Sequence, residues 1–311
     1  MPLDTNWALW LSWPVLALLG LLVGSFLNVV VHRTPIIMFR GWWDETGQHL
    51  ADADEWKRVF GSEQPSAVDG ASKAIDQSLQ ALPRLGIATP ASRCPHCGHQ
   101  IRWYENLPVA SWLALRGKCS ACKAPISARY PIVEISTSVL FGLAAWRFGP
   151  HVSTLAWCAA LALLVALALI DLDTSFLPDS MNGPLLWGGL IAAAAGWTLP
   201  LQTALIGAIA GYLSLWSLYW LFKLTTGREG MGAGDFKLLA ALCAWLGWQA
   251  LLPITLMASV VGLLFTVPRR LLGRMDAWQA TPFGPFLAGG GIVVMLIGVD
   301  RIYDWLGISL G

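Results

Sequence analysis

Long apolar runs separated by short polar clusters organise this chain, and their lengths set the first expectation. The first run extends from about Trp7 to Val31, with Trp7, Trp10 and Trp13 at its outer end, where indole rings suit a membrane interface. From Pro131 onward almost every stretch is apolar, and helices are expected near 132–148, 153–171, 183–199, 201–222, 237–249, 251–268 and 282–300. A helix crosses a bilayer with about 20 apolar residues, so the pattern predicts an all-α polytopic membrane protein with about eight transmembrane helices. The stretch 238–268 is short for two crossings and is the tightest part of that division. Only residues 33–130 form a sizeable polar segment, which divides the chain into a first transmembrane helix (1–32), a polar domain (33–130) and a seven-helix membrane domain (131–311).

Composition agrees with the pattern. Hydrophobic residues make up 56% of the chain and charged residues 13%, with a mean hydropathy of +0.58. A net charge of +1, without any Lys/Arg tract, offers nothing for nucleic acid. No basic segment precedes the first apolar run, which is therefore expected to be a retained span rather than a cleaved signal. Lys223, Arg228, Lys237, Arg269, Arg270 and Arg274 fall in loops on the side of the polar domain, Arg147 and Arg301 being the exceptions. The positive-inside rule makes that side cytoplasmic and leaves both termini outside. Within the polar domain, residues 42–82 carry eight acids against three bases and read as a solvated helix or loose insertion; residues 83–130 carry seven bases and one acid. Asn28, inside the first span, needs a polar partner, and neighbouring Gly24 and Ser25 permit close helix approach.

Two clusters carry chemistry. Cys94-Pro-His-Cys97 and Cys119-Ser-Ala-Cys122 are knuckles separated by 21 residues, and each can give two thiolates to one tetrahedral metal. A cytosolic location opposes disulfides, so a structural, zinc-ribbon-like site of four cysteines is expected; His96 and His99 are dispensable competitors for it. Cys158 and Cys243 lie in apolar runs and read as small buried hydrophobes.

The second cluster is acidic. Asp171 ends one apolar run, in Asp171-Leu-Asp-Thr-Ser-Phe-Leu-Pro-Asp179, and Asp235 opens another, in Gly232-Ala-Gly-Asp235. The uncharged run 180–222 between them is long enough to cross and return, which places both at one membrane face. Any single acid at a span end is ordinarily a solvated boundary marker. A glycine-flanked acid paired with a second acid at the same depth instead suits an aspartic protease, in which mutual repulsion keeps one carboxyl protonated. Asp173, two residues from Asp171, must face elsewhere, and Asp179 after Pro178 reads as a helix N-cap. Helix polarity alone predicts that Asp235, at a helix start, is the ionised member and Asp171, at a helix end, the protonated one.

The chain resembles the bacterial type IV prepilin leader peptidases, which are bifunctional with an N-methyltransferase. The resemblance runs through Gly24-Ser-Phe-Leu-Asn28, both cysteine knuckles, Glu105-Asn-Leu-Pro-Val-Ala-Ser-Trp112, Arg129-Tyr-Pro-Ile-Val-Glu134, Asp171 to Asp179, Gly230-Met-Gly-Ala-Gly-Asp235-Phe-Lys237 and Pro282-Phe-Gly-Pro285. It implies cleavage of a basic leader from prepilins and type II secretion pseudopilins at the cytoplasmic face of the bacterial inner membrane. Methylation of the new N-terminal residue with S-adenosylmethionine would follow. It also implies Asp171 and Asp235 as the catalytic pair and zinc on Cys94, Cys97, Cys119 and Cys122. The acidic stretch 42–82 has no counterpart in this resemblance, and no S-adenosylmethionine fingerprint is legible. An ion-coupled transporter would place its acids near mid-bilayer in repeated halves, which the sequence lacks. A non-catalytic scaffold of a pilus or secretion assembly would not need the acid pair.

Overall fold

The computed structural model describes residues 5–273, 281–305 and 307–308. Among them regular structure is helical, apart from two isolated bridges in the cysteine region. Helix α1 (Thr5–Trp10) leads into α2 (Trp13–Ala51), which runs without a break past residue 32 and through Pro35. At 1.5 Å per residue, its 39 residues measure about 58 Å, against about 30 Å of bilayer hydrocarbon. The C-terminal part of α2 therefore stands out of the membrane as a stalk. On it fold α3 (Ala53–Phe60) and α4 (Ser66–Gln80), with Ser72 Oγ donating to the Gly47 carbonyl at 2.9 Å. The acidic stretch is thus a helical hairpin. Some of its charges pair locally, Lys57 with Glu63 and Lys73 with Asp69, in exposed bridges worth about 0–1 kcal/mol each.

Between the two cysteine knuckles lies α5 (Ala110–Ala114), and after them come α6 (Arg129–Phe148), α7 (Val152–Thr174), α8 (Asp179–Ala194) and α9 (Leu201–Thr226). Then follow α10 (Ala233–Leu246), α11 (Leu251–Leu271), α12 (Gly284–Ile297) and α13 (Val299–Trp305). Among the described residues, four helices are long and apolar enough to cross a membrane: α2, α7, α9 and the segment Trp248–Leu271 that contains α11. A fifth is reached if α12 and α13, bent by 96° at Gly298, count as one span. The apolar runs near 237–249 and 282–300 become helices of only 14 residues, α10 and α12.

The reason for short α10 is its position. It packs against α8, α9 and α12, and every side chain from Leu238 to Trp245 is buried. Sheltered by other helices, it does not need the length of a lipid-facing span. Apolar side chains left exposed gather on the outer helices, such as Ile209, Leu213 and Leu221 of α9 and Val260, Leu263 and Leu264 of α11. Lipid tails are as apolar as these residues, so helix association relies on close packing. Gly207 and Gly211, one turn apart on α9, provide it: a Cβ on Gly207 would overlap the Cys243 carbonyl oxygen, and one on Gly211 would lie 2.8 Å from the Leu239 oxygen. Gly20 and Gly24 of α2 admit α6 in the same way, against Ser138 and Glu134. Asn28 finds its partner there, donating to the Tyr130 carbonyl at 3.2 Å.

Helix alternation sets the N-termini of α6, α8, α10 and α12 and the C-termini of α7, α9 and α11 at one end of the bundle. Lys223, Lys237, Arg269 and Arg270 are at that end; Arg274 lies outside the described residues. Gly207→Ala should lower stability by about 1–3 kcal/mol, because backbone must move to admit the methyl group. Gly70→Ala, in open space on α4, should be neutral or up to about 1 kcal/mol stabilising. Thermal melts in detergent read both, and equal effects would contradict the close α9–α10 seam.

Candidate active site and cysteine centre

Three helix ends meet around two buried acids. Asp171 occupies the last turn of α7, which ends at Thr174 with Ser175 in the left-handed region (φ 53°). Asp235 is the third residue of α10, and a backbone hydrogen bond from Gly232 reaches its carboxylate. The residues are 4% and 7% exposed, and their carboxyl groups are close enough to act on each other electrostatically. The third end belongs to α12, whose first residue, Gly284, donates its N–H to Asp171 Oδ2 at 3.0 Å. A Cβ on Gly284 would lie 2.7 Å from that oxygen, so the approach requires glycine. Leu177, in the short turn between α7 and α8, fills the junction: added Cβ atoms on Gly234 and Gly284 would meet it at 2.8 and 3.1 Å. The Pro282-Phe-Gly-Pro285 segment therefore belongs to the site, a role that its sequence did not reveal. The bracketing prolines, which punctuate a helix start, were the available signal.

The other two acids of the cluster face outward. Asp173 receives both terminal nitrogens of Arg129, each at 2.8 Å. Asp179 is not the N-cap of α8: that position falls on Pro178, and Asp179 is the first helical residue, with both carboxylate oxygens 2.7 Å from Lys237 Nζ. The long-range partner displaces the local cap.

The cysteine module repeats one small turn twice. Cys94 N–H donates to the His99 carbonyl and Gly98 N–H to that of Cys94; Cys119 N–H donates to the Ala124 carbonyl and Lys123 N–H to that of Cys119. The repetition brings the four Sγ atoms within 4.8 Å of one another. Cys94 Sγ and Cys122 Sγ are 3.8 Å apart, close to the edge of about 3.8 Å for a tetrahedron of thiolates 2.3 Å from a metal and far from disulfide length. Backbone N–H groups of Cys97 and His96 hold the Cys94 thiol down at about 7, which favours the thiolate a metal needs. The four residues thus fit a metal ion. His99 is turned away from it, its Nε2 3.1 Å from Glu105 Oε2. The Arg102 backbone N–H, the Ser120 side chain and His99 hold the Glu105 carboxyl down at about 2.

Two buried charges fasten this module to the stalk and the membrane domain. Arg33, at the membrane exit of α2, donates to the carbonyls of Gly86, Ile87 and Pro90 at 3.0, 3.1 and 2.7 Å. Glu134 of α6 accepts the Val109 N–H at 2.7 Å and sustains a β-branched residue at φ 59°. Neither role was readable in sequence, because both partners are backbone groups distant along the chain.

Comparison with known proteins matches residues 18–148 to the family model "Bacterial Peptidase A24 N-terminal domain" and residues 158–267 to "Type IV leader peptidase family". The chain is 48% identical over 289 residues to the prepilin leader peptidase/N-methyltransferase of Stutzerimonas stutzeri, covering 91% of this chain and 90% of the relative. The chain belongs to the type IV leader peptidase family. Relatives of the same name from Aeromonas hydrophila (46% identity, 95% of this chain, 94% of the relative) and Pseudomonas aeruginosa (47%, 92% and 91%) cover similar extents. No solved structure matches the chain. The leader peptidase family model embraces both buried acids and stops short of Gly284, whereas the N-terminal model takes in the stalk, the hairpin and the cysteine module.

Two hollows on the described surface are open, about 400 Å³ beside His99–Arg102 and about 320 Å³ beside Phe39, Trp42, Trp43 and Thr46. Neither encloses a nucleoside-sized ligand. The cysteine geometry predicts that purified protein binds one equivalent of cobalt(II) with thiolate-to-metal charge-transfer absorption. Cys97→Ser should weaken binding, and undiminished absorption after replacement of all four cysteines would contradict the site.

Proposed function

We propose that this protein is a membrane aspartic endopeptidase that removes leader peptides from type IV prepilins and type II secretion pseudopilins and then N-methylates the new N-terminal residue. Family membership supports the activity, and the observation that carries its chemistry is the buried Asp171–Asp235 pair at the junction of α7, α10 and α12. The catalytic assignment of these two acids is part of the proposal. One carboxylate takes a proton from water as it attacks the scissile carbonyl, and the other, protonated, donates a hydrogen bond to that carbonyl. Collapse of the tetrahedral intermediate passes a proton to the leaving amine. Two carboxyls sharing one proton supply both roles.

Helix polarity alone would have assigned the proton to Asp171. The Gly284 N–H, at the start of α12, gives Asp171 the same kind of helix-start donor that Asp235 has at the start of α10. With that asymmetry removed, the proton is assigned to the pair. Acids clustered at helix ends, and not midway along spans, also oppose the transporter alternative.

The same reading places the protein in the bacterial inner membrane, with the acid pair at the cytoplasmic face. Helices α2 and α6–α12 serve as the eight membrane elements, with short α10 enclosed by its neighbours. Cys94, Cys97, Cys119 and Cys122 hold one zinc ion in a closed structural site that fixes the fold of the segment between the stalk and α6. S-adenosylmethionine supplies the methyl group when bound. The substrates present a basic leader followed by an apolar helix, which lies in the membrane beside the site.

Mass spectrometry of a co-expressed prepilin tests the assignment. Asp171→Asn and Asp235→Asn should each slow leader removal by more than about 10³-fold, as expected when one member of a catalytic unit is lost. Asp173→Asn should retain measurable cleavage. Full cleavage by Asp171→Asn with loss in Asp173→Asn would show that the other acid of the cluster is catalytic.

A further inference from the structure

Each buried acid is followed two residues later by a charged residue that faces out. At 3.6 residues per turn, positions i and i+2 point about 200° apart, so the two side chains leave opposite sides of one helix. The side chains of Asp173 and Lys237 are 38% and 42% exposed, whereas Asp171 and Asp235 are buried. Both outward residues are held across a helix boundary with both carboxylate oxygens engaged. Arg129, the first residue of α6, meets Asp173 near the end of α7 in a fork-to-fork pair at 2.8 and 2.8 Å. Lys237, in the first turn and a half of α10, sits 2.7 Å from both oxygens of Asp179, the first residue of α8.

We propose that Arg129–Asp173 and Lys237–Asp179 are a matched pair of positioning clamps for the peptidase site. Each grips an acid-bearing helix from the side opposite its acid and fixes the rotation of that helix end, so that Asp171 and Asp235 face each other. The proposal rests on the peptidase reading of those two acids. Helix ends need such a device because their last turns have lost intrahelical hydrogen bonds. The lever is short: a rotation of about 15° moves a carboxyl about 5 Å from the helix axis by about 1.3 Å. Misplacement of about 1 Å in a catalytic group costs on the order of 10²-fold in rate. Exposed ion pairs add little to stability, so clamps of this kind show themselves in turnover and not in melting temperature. Arg129 lies seven residues past Cys122, so the first clamp also joins the end of the cysteine module to the α7 acid.

The test uses the full-length enzyme in detergent with a purified type IV prepilin as substrate. Arg129→Leu and Lys237→Met should each lower kcat by about 10–10²-fold, with KM within about twofold and the melting temperature within a few degrees. Arg129→Lys, which keeps the charge and loses the fork, should fall between Arg129→Leu and the parent. The exchanged pairs Arg129→Asp with Asp173→Arg and Lys237→Asp with Asp179→Lys should recover most of the lost kcat. Unchanged kcat in both single variants would overturn the proposal. So would a raised KM at constant kcat, which marks substrate contact, or exchanged pairs that melt normally yet stay slow. Asp171→Asn, assayed alongside, separates the outcomes: normal cleavage there would sink the peptidase assignment itself.

Discussion

A carboxyl group taken out of water must be given hydrogen bonds or a proton, and this fold takes two out of water side by side, at Asp171 and Asp235. The answer is a junction of helix ends, where backbone N–H groups without intrahelical partners are available. The N-terminus of α12 supplies the Gly284 N–H to Asp171, and the N-terminal turn of α10 supplies Gly232 to Asp235. Much else follows from assembling that junction. α10 must be short and enclosed, its partner α9 must carry Gly207 and Gly211, and Gly284 must lack a side chain so that α12 can approach. The outward ion pairs at Asp173 and Lys237 stand at the same helix ends.

The cysteine module stands in a different physical relation to the membrane domain. It has little apolar core of its own, and its two knuckles are held by backbone hydrogen bonds and four converging sulfurs. Arg33 fastens the segment leading into it to the stalk, and Glu134 fastens the stretch between its knuckles to α6. Breaking either contact would leave a charged group in a site closed to water, which is why a buried Arg next to three carbonyls is a stronger restraint than the exposed pairs on the neighbouring hairpin.

Much of this was legible in the chain. Apolar run lengths gave the order of the helices, because a lipid-facing helix must be continuous and apolar. Cysteine spacing placed the metal-binding geometry, since the distance between two knuckles is a local property. The glycines before Asp235 and the run of residues 180–222 put both acids at one end of the bundle. What escaped were properties of helix-to-helix contact. The shortness of α10 depends on being surrounded, which no single apolar run reveals. Gly284, Arg33 and Glu134 act on backbone groups far away along the sequence, and backbone acceptors carry no residue-type signal. Asp179 looked like a cap because Pro178 precedes it, but Lys237 drew its carboxylate to another helix. The stretch 42–82, with few apolar residues, concealed a hairpin that needs only one packed face against α2.

The juxtaposition of Asp171 with Asp235 is the claim on which the account depends, and cross-linking measures it directly. In an enzyme lacking Cys158 and Cys243, with the four knuckle cysteines retained, Asp171→Cys combined with Asp235→Cys should be joined rapidly by a short bifunctional thiol reagent. Leu172→Cys combined with Asp235→Cys should not, because Leu172 faces outward from α7. Preferential joining of the Leu172 pair, or no joining of the Asp171 pair in folded enzyme, would contradict it.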